Sequence, residues 1–406
     1  MSFSSRNNSV VIAVNGGSSS IKAAVFRVIM GSPQRIASIT VERLGTRRAR
    51  MVSTIHSPGE VEPKRVFSLS SRRTIRQAAS ALAAELRTIS QHAPVAGIGH
   101  RLVFGGVTSP DHQSMSKSLL TTLKAASRLD SAHLPAELAL ISALQREFRG
   151  VAQIACLDTA FHRALPRVAT LLPIPLRFNR AGLRRYGFHG LSYEYLSAQL
   201  SRLEKSEQKR ERVVYAHLGS GASMAAVRNG RPIDTTMGFS PLSGLMMRTR
   251  PGDLDPGAIV QIAKSERKSA SALSDFLNDE CGLAGVSDSS GDIRDLLVVR
   301  ASIGAAADAI NLFCWSARKQ LGAMIAALGG IDTLVFAGGI GEHAGAVREQ
   351  ICANLEDLGI ELDPGANKRN RAVISTSRSP VTVRVIPTDE EVMIARHVLR
   401  LTRGRR

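Results

Sequence analysis

A short turn near the start of the chain groups side chains that could bind phosphate. From Asn15 to Lys22 the sequence Asn-Gly-Gly-Ser-Ser-Ser-Ile-Lys places one amide, two glycines, three hydroxyls and one ammonium within eight positions. Backbone N–H groups at glycine, hydroxyl donors and a cation are the groups that hold phosphate oxygens in proteins. The turn therefore predicts a phosphate site, with an ordinary polar hairpin as the alternative.

A second turn of the same design follows about half a chain later. An apolar run at 213–218, a Gly/Ser turn at 219–223 and another apolar run at 224–227 repeat the pattern around the first turn. Each pattern predicts a hairpin. Two hairpins at the same place in each half indicate two similar domains, and we expect a nucleotide to lie in the cleft between them.

Length and composition agree with a two-domain globular protein. The chain has 406 residues, 44% of them hydrophobic, and a mean hydropathy of −0.01. The apolar run from Val10 breaks at Asn15, so it does not resemble a secretory signal, and no apolar run reaches the length of a membrane span. The four cysteines form no C-x-x-C pair and are interpreted as reduced thiols. We expect a cytoplasmic protein.

A formal net charge of +19 could attract nucleic acid, an anionic membrane surface or small anionic substrates. The basic residues are dispersed, and only 4% of residues are aromatic, which leaves few platforms for stacking bases. No zinc-finger, RNP-like or basic-zipper pattern occurs. We interpret the charge as solvated surface that also steers anionic substrates, and we expect neither nucleic acid nor a membrane as a partner.

Strand and helix patterns place one carboxylate where ligands commonly bind. An apolar run at 152–157 predicts a strand that is followed directly by Asp158, and ligands of open α/β sheets lie at the carboxyl ends of strands. The remaining patterns predict a strand at 95–103, helices at 74–91, 116–129, 296–328 and 346–358, a loop at 281–295, and strands at 332–336 and 382–386.

Two named nucleotide motifs are absent or incomplete. The P-loop pattern G-x-x-x-x-G-K-[ST] does not occur. Gly339-Ile340-Gly341 begins like a dinucleotide fingerprint, but position 344 is Ala. A Rossmann oxidoreductase is therefore disfavoured, whereas an adenine or ribose packed against this glycine turn fits equally well.

Eight segments, in order along nearly the whole chain, resemble the acetate kinase family. They read VIAVNGGSSSIK, GHRLVFGG, LDTAFHRALP, RYGFHGLS, HLGSGAS, DTTMGFSPLSGLMMRTRPGDLDP, VFAGGIGE and IPTDEEVMIAR. The resemblance implies the fold of sugar kinases, actin and heat-shock chaperones, which is α/β with two ribonuclease-H-like (actin-like ATPase) domains and a nucleotide cleft between them. We expect an N-terminal domain at 1–159 with 391–406 and a C-terminal domain at 160–390. The resemblance also implies a homodimer that reversibly transfers phosphate from ATP to acetate, giving acetyl phosphate and ADP.

The side chains suit that reaction. Joining a carboxylate to a phosphate brings two anions together, so the site must supply fixed positive charge. By resemblance Arg101 holds the substrate carboxylate, and Arg250 and His189 stabilise the moving phosphoryl group. A guanidinium can grip either anion through two parallel hydrogen bonds. Asp158 matches the catalytic aspartate; because acetate is already ionised near pH 7, a role in orientation or near the metal is favoured over a base.

The resemblance assigns the other site residues by group. The substrate group is Arg101, Val103, Ala132, His133, Phe188 and Pro241. The nucleotide and phosphate group is Ser18, Ser20, Lys22, His217, Leu218, Gly219, Ser220, Gly221, Asp292, Ile293, Arg294, Gly339, Ile340, Gly341, Glu342 and His343. Asn15 and Glu390 match the positions that bind Mg2+, with Mn2+ as an alternative ion, and oxygen ligands suit either.

Some positions depart from the family pattern. Ser220 and His343 stand where the family usually has Asn, which puts the nucleotide contacts in question. Arg248 stands where Gly is usual. Ala132 replaces a Leu that would lie against the acetate methyl group, so the sequence predicts tolerance of propionate.

Two interpretations from other classes stay open at this point. An actin-like or chaperone-like ATP-driven binding protein would share the fold without needing Arg101, but it would need a further substrate-binding region. A nucleic-acid-binding protein would bind with a steep dependence on salt.

Overall fold

The computed structural model describes residues 9–17, 20–42, 44, 48–57, 60–61, 64–69, 74–107, 111–127, 134–203 and 212–403. Among the predicted site residues, Ser18, Ala132 and His133 lie outside these ranges. The chain divides into two compact units. Unit 1 is Met1–Ala160, Gly190–Tyr195 and Asp389–Arg406, and unit 2 is Phe161–His189 and Leu196–Thr388. The domain boundaries expected from the sequence, 1–159 with 391–406 and 160–390, stay a prediction.

Strands dominate the beginning of each half of the chain, and helices dominate its end. The first half contains β1 (Val10–Gly16), β2 (Ile21–Ile29), β3 (Ser32–Glu42), β4 (Arg50–Ser57), β5 (Glu60–Val61), β6 (Arg65–Ser68), α1 (Ile75–Ser90), β7 (Val95–Leu102), β8 (Gln113–Ser114), α2 (Lys117–Ala126), α3 (Leu134–Glu147), β9 (Gln153–Leu157), a 3-10 turn (Ala160–Ala164), α4 (Arg167–Thr170), α5 (Leu176–Arg180) and α6 (Gly190–Leu203). The second half contains β10 (Arg212–Leu218), β11 (Ala222–Arg228), β12 (Arg231–Thr235), α7 (Pro256–Ser265), α8 (Ala270–Asp279), α9 (Gly282–Ser287), α10 (Ile293–Val299), α11 (Gly304–Leu328), β13 (Thr333–Ala337), α12 (Gly338–His343), α13 (Gly345–Cys352), a 3-10 turn (Glu356–Leu358), α14 (Pro364–Lys368), β14 (Thr382–Val385) and α15 (Glu390–Arg403).

The described strands form two sheets with the same central arrangement. In unit 1 the strand order is β5-β4-β3-β2-β1-β7-β9-β8, with β6 beside β4. Strands β1 to β3 are antiparallel neighbours, while β7 is parallel to β1 and β9 is parallel to β7. In unit 2 the order is β12-β11-β10-β13-β14, with the same directions. The repeat of the five central strands confirms the predicted fold class of two ribonuclease-H-like, actin-like domains.

Both faces of the unit 1 sheet are covered. Alternate residues of β1 point to opposite faces: Val10, Ile12 and Val14 join a core with α1 and α3, while Val11 and Ala13 join a core with α15. This burial on two sides explains why β1 reads as a continuous apolar run.

Helix α15 lies very close to β7. A Cβ atom at Gly99 would overlap the Ile394 side chain, and one at Gly97 would overlap the Val398 side chain. Glycine at these two positions therefore sets the approach of the helix to the strand that contains Arg101.

Two predicted helices are shorter than the sequence pattern indicated. The helix predicted at 296–328 is two helices, α10 and α11, because the chain turns at 300–303, where Ser302 bonds the Val299 carbonyl oxygen through both its N–H and its hydroxyl. The helix predicted at 346–358 ends at Cys352, and Asn354 then adopts a left-handed φ of 61°. The loop predicted at 281–295 contains α9.

Candidate active site

Four predicted site residues meet at one edge of the unit 1 sheet. Asn15 lies near the end of β1, Arg101 near the end of β7, Asp158 directly after β9, and Glu390 at the start of α15. Because β1, β7 and β9 are parallel, their carboxyl ends lie at the same edge. The fold thus brings together residues that are up to 375 positions apart in the sequence.

Arg101 is the centre of a hydrogen-bond network. Its Nε–H lies 3.1 and 3.0 Å from the two carboxylate oxygens of Asp158, and Nη2 donates to Oδ2 at 2.6 Å. Nη1 donates to Oδ1 of Asn15 at 3.0 Å, and the Asn15 amide nitrogen donates to Glu390 Oε2 at 2.7 Å. The guanidinium is therefore held on two sides in one orientation.

The network keeps Arg101 charged and leaves donors on it. Burial opposes the charge, but Asp158 and Glu390 outweigh burial and raise the pKa of Arg101 above its ordinary value. A guanidinium has five N–H donors. Within the contacts of the described residues, Asp158 and Asn15 engage Nε–H, one N–H of Nη2 and one N–H of Nη1. One N–H then remains on each terminal nitrogen, enough to bind the two oxygens of a carboxylate.

Carboxylates cluster beside this network at the start of α15. The Asn15 amide also donates to Glu391 at 3.3 Å, and Arg35 lies 2.5 Å from Asp389 and 3.7 Å from Glu391. Burial and the neighbouring Glu390 raise the pKa of Glu391. The oxygen donors at this helix start are of the hard type that Mg2+ requires, so the residues present fit that ion.

Three further residues that the sequence predicts for the site, Ser20, Lys22 and Val103, lie in unit 1. Lys22 is exposed and pairs with Asn15 across the β1–β2 ladder, and Ser20 accepts a hydrogen bond from Gly17 through its carbonyl oxygen. Val103 is buried, and its N–H donates to Glu137 at 3.1 Å.

His189 is fixed within unit 2 by the β10–β11 hairpin. Its Nδ1 lies 2.8 Å from the Ser223 hydroxyl, and its ring stacks on that of His217 with centroids 4.4 Å apart. A Cβ atom at Gly221 would lie only 3.1 Å from His189 Nε2, so glycine leaves space for the ring. His189 also has a left-handed φ of 58°, a strained conformation for a residue with a side chain.

Two other residues predicted for the site, Pro241 and Arg250, are in contact within the loop before α7. Arg250 Nη1 donates to the Pro241 carbonyl oxygen at 3.2 Å. Gly282, with a φ of 65°, packs against the backbone of Arg250 so closely that a Cβ atom would overlap it. Phe188 is buried, and its carbonyl oxygen accepts a hydrogen bond from His162 Nε2 at 2.9 Å.

The three segments predicted to bind nucleotide lie side by side in unit 2. The turn at 338–339 packs on the end of β10, where a Cβ at Gly338 would lie 2.7 Å from the Leu218 carbonyl oxygen. The Ser220 carbonyl oxygen accepts from the N–H of Arg248, and Arg248 packs on Gly291. The segment 291–294 thus joins the turn at 219–221.

Side chains within these segments cap and pair locally. Asp292 caps α10 and lies 2.5 Å from Arg294, whose hydrogen bond lowers the pKa of Asp292 to about 2. Glu342 accepts from the N–H groups of Gly338 and Thr388. His343 is largely exposed.

Two residues that hold predicted site residues in place, Ser223 and Arg348, were not predicted from the sequence. Ser223, the partner of His189, occupies the position in the second hairpin that matches Ser20 in the first, and this match was an available signal. Arg348 is completely buried and donates to the carbonyl oxygens of Gly341 and Asn367 at 2.9 and 2.7 Å. Nothing in the sequence pattern distinguishes Arg348 from a surface arginine.

Comparison with known proteins shows which family this chain resembles. Residues 10–396 match the Acetokinase family. The chain belongs to this family. An acetate kinase of Rhodopseudomonas palustris is 40% identical to this acetokinase over 401 residues, covering 98% of this chain and 99% of the relative.

Two solved structures are also similar to this acetokinase. The crystal structure of Porphyromonas gingivalis acetate kinase has a TM-score of 0.81 at 33% identity, covering 95% of this chain and 98% of that one. A propionate kinase from Francisella tularensis has a TM-score of 0.87 at 31% identity, covering 96% and 98%. Among the described residues of this acetokinase, no helix is both long and apolar enough to span a membrane.

Proposed function

We propose that this member of the Acetokinase family reversibly transfers the terminal phosphate of ATP to acetate, producing acetyl phosphate and ADP. The relatives named acetate kinase support the substrate, and one observation carries the proposal. Arg101 is fixed by Asp158 and Asn15 in a way that leaves an N–H on each terminal nitrogen, a donor pair that matches an acetate carboxylate.

Asp158 acts in this proposal by orienting Arg101. Both of its oxygens accept hydrogen bonds from Arg101, and its side chain has no exposed surface. Acetate is ionised near pH 7 and has no proton to lose, so the reaction needs no general base at this step. Holding the nucleophile in line with the phosphoryl group supplies most of what a phosphoryl transfer requires.

Arg250 and His189 supply the charge and hydrogen bonds for the phosphoryl group. The contact with the Pro241 carbonyl oxygen holds Arg250, and the contact with Ser223 holds His189. Side chains that are already oriented stabilise a developing charge without reorganising during the reaction. The nucleotide would lie along 217–221, 292–294 and 339–343, with Ser18, Ser20 and Lys22 on its phosphates.

Asn15 and Glu390 would hold Mg2+, or Mn2+ in its place, and ATP is the co-substrate. The bound ion supplies positive charge that offsets the phosphates. We further propose a homodimer in the cytoplasm. Propionate is the second candidate substrate, because Ala132 is smaller than the usual Leu and a propionate kinase is among the similar structures.

The test is a hydroxamate assay for acyl phosphate with ATP and Mg2+, run on acetate, propionate and butyrate. We expect product from wild-type protein with acetate and a loss of about 100-fold or more in kcat/KM for acetate in Arg101→Ala. Arg149→Ala, which removes an exposed arginine of the same unit, should retain full activity. No acyl phosphate from wild-type protein with any of the three acids would contradict the proposal.

A further inference from the structure

Three side chains from distant parts of unit 1 meet behind the end of β9. Glu194, on α6, lies with Oε1 3.0 Å from His112 Nε2 and with Oε2 2.5 Å from His397 Nε2. The two ring centroids lie 3.9 Å apart, and the ring planes are tilted by 33°. His112 precedes β8 and His397 lies on α15, so the three residues, together termed the histidine clamp, connect three elements.

The hydrogen positions in the clamp follow from its neighbours. The N–H of Leu157 donates to His112 Nδ1 at 2.9 Å, so that nitrogen must be an acceptor and the ring proton lies on Nε2, facing Glu194. Arg400 likewise approaches His397 Nδ1 at 3.4 Å, which leaves Nε2 of His397 to donate to Glu194. The carboxylate thus lies between two N–H donors.

The ionisation of the clamp agrees with this assignment. Burial alone would raise the pKa of Glu194, but the hydrogen bonds from His112 and His397 outweigh burial and lower the pKa to about 2. Burial lowers the pKa of His397. Near neutral pH we therefore expect Glu194 to be ionised and the His397 ring to be neutral.

The hydrogen positions also disfavour a metal ion at this cluster, although the three ligand atoms lie within 4.8 Å of one another. A histidine that binds a metal through one nitrogen usually donates the other N–H to an acceptor. His112 does the opposite, because its second nitrogen accepts from a backbone N–H. A metal at Nε2 would leave that ring without any proton.

The histidine clamp holds the segment that contains Asp158. His112 bonds the N–H of Leu157, directly before Asp158, and the N–H of Gly190, the first residue of α6, donates to the Asp158 carbonyl oxygen at 2.9 Å. Helix α6 therefore fixes this strand end at two points. His397 lies seven residues after Glu390, two turns along the same side of α15 and about 10 Å away.

We propose that Glu194 is a positioning residue which, through His112 and His397, fixes Asp158 relative to Glu390 and so aligns Arg101 for the reaction. The inference rests on the proposed function and adds to it a set of residues that does not touch the substrate. Small displacements of reacting groups reduce rates strongly, by up to about 100-fold for 1 Å.

The first test compares Glu194→Gln with Glu147→Gln, which removes the same charge from the surface of α3 in the same unit. Each oxygen of Glu194 accepts from one ring N–H, whereas Gln has only one oxygen. In Glu194→Gln the NH2 group therefore faces the N–H of either His112 or His397, and that contact becomes repulsive. We expect kcat for acyl phosphate to fall by about tenfold or more in Glu194→Gln, with KM for ATP changed less than twofold. Hydrogen exchange should accelerate in residues 153–158 and stay unchanged in residues 213–228. Glu147→Gln should match wild type in every measurement.

A conservative variant separates positioning from loss of folding. His397→Gln keeps an N–H donor toward Glu194, whereas His397→Leu does not. We expect His397→Gln to retain most of the wild-type kcat and His397→Leu to lose it, with both variants folded by circular dichroism at the assay temperature.

Three results would overturn the proposal. Glu194→Gln with wild-type kcat and wild-type exchange at 153–158 would show that the strand end needs no clamp. Equal loss of kcat in His397→Gln and His397→Leu would show that the donor has no role. One equivalent of Zn2+ bound to purified protein and lost in Glu194→Gln would make the cluster a metal site. If the wild-type protein is inactive on all three acids, only the proposed function is contradicted. The hydrogen-exchange comparison at 153–158 still tests whether the histidine clamp holds the strand end.

Discussion

Burying a carboxylate is costly unless other groups compensate its charge, and Asp158, which has no exposed surface, has Arg101 as an ion-pair partner at 2.6 Å. The same pair orients the guanidinium toward the substrate in the proposed reaction. One ion pair would thus act in both stability and the proposed catalysis, and removing either partner takes from the other an opposite charge 2.6 Å away.

We predict that Asp158→Asn lowers kcat/KM for acetate by about 100-fold or more, because the guanidinium loses its fixed partner. Breaking a buried ion pair also costs about 3–5 kcal/mol of unfolding free energy. Steady-state kinetics and thermal unfolding measure the two effects. Glu42→Gln, which breaks an exposed pair with Arg50, should change stability by less than about 1 kcal/mol and leave the kinetics unaltered. Wild-type kinetics in Asp158→Asn would contradict the role of this pair.

We predict that Ala132→Leu reduces activity on propionate relative to acetate. In the proposed site the three added carbons would compete with the terminal methyl group that propionate has and acetate lacks, worth about 2–3 kcal/mol or roughly 30- to 150-fold in the ratio of kcat/KM values. The hydroxamate assay with both acids measures the ratio. Ala132→Gly serves as the control and should keep the wild-type tolerance. An unchanged ratio in Ala132→Leu would contradict the predicted tolerance of propionate.

Sequence motifs could predict Arg101, Asp158 and Glu390 as candidates for the site but could not predict the bonds among them. Those bonds depend on which strand ends share an edge of the sheet, and strand order is a property of the fold. The histidine clamp shows the same limit more strongly, because its members lie in no common motif and meet only through tertiary packing.

Among the elements, α12 and α13 depend on one buried cation. Arg348, on α13, donates to the Gly341 carbonyl oxygen, to both oxygens of Asn367 and to the Asn370 side chain, with distances of 2.7–2.9 Å. Burial lowers the pKa of Arg348, and neutral oxygens take the place of a carboxylate partner. These contacts fix the glycine segment that the proposed function assigns to the nucleotide.

We predict that Arg348→Met destabilises the protein by about 3 kcal/mol or more, because several buried oxygens lose their donor. KM for ATP should rise more than KM for acetate, since the displaced segment lies on the nucleotide side of the proposed site. Thermal unfolding and steady-state kinetics measure these changes, with the exposed Arg371→Met as the control. Equal changes in the two KM values would argue against a nucleotide-specific effect.

The histidine clamp also predicts how acid affects stability. The pKa of His397 is lowered by folding, so its contribution is complete above the ordinary value of 6.5 and is lost as pH falls below it. The contribution of Glu194 is lost at lower pH, between 4.5 and about 2. His100, whose pKa burial lowers to about 4, adds to the loss below pH 6.5.

We therefore expect the melting temperature of wild-type protein to fall more between about pH 7.5 and about pH 5 than that of His397→Gln, which has no ring to protonate at this position. Thermal unfolding at several pH values measures the difference. Parallel curves for the two proteins would show that His397 does not contribute to acid sensitivity.

Element boundaries were less predictable than element types. The apolar periodicity at 296–328 continues through the turn at Ser302, because buried apolar residues such as Leu296 and Ala306 lie on both sides of it. At the end of α10 the Val299 carbonyl oxygen accepts from the N–H groups of Ser302 and Ile303 and from the Ser302 hydroxyl, and this geometry is not contained in the pattern.

At the scale of the whole molecule, the repeated hairpin sufficed to predict two similar domains, because it gives each half the same central antiparallel pair, β1–β2 and β10–β11. The net charge of +19 is a second property of the entire chain. Long-range attraction between this charge and anionic substrates acts on association and is screened by salt.

We predict that raising the salt concentration from about 20 to about 200 mM lowers kcat/KM for ATP severalfold while kcat stays constant. Kinetics at fixed Mg2+ measure the effect. The corresponding decrease for acetate should be smaller, because acetate has a single charge. Identical salt dependence for both substrates would indicate that the basic surface does not steer them.

The membership of α15 in unit 1 has a consequence for synthesis of the protein. Met393, Ile394 and Val398 complete a core whose members on β1, β2, β9 and α6 leave the ribosome about two hundred residues or more earlier. During translation that face of the sheet stays open to solvent and to other nascent chains. We expect chaperones to engage the growing chain there until the final helix emerges and closes it.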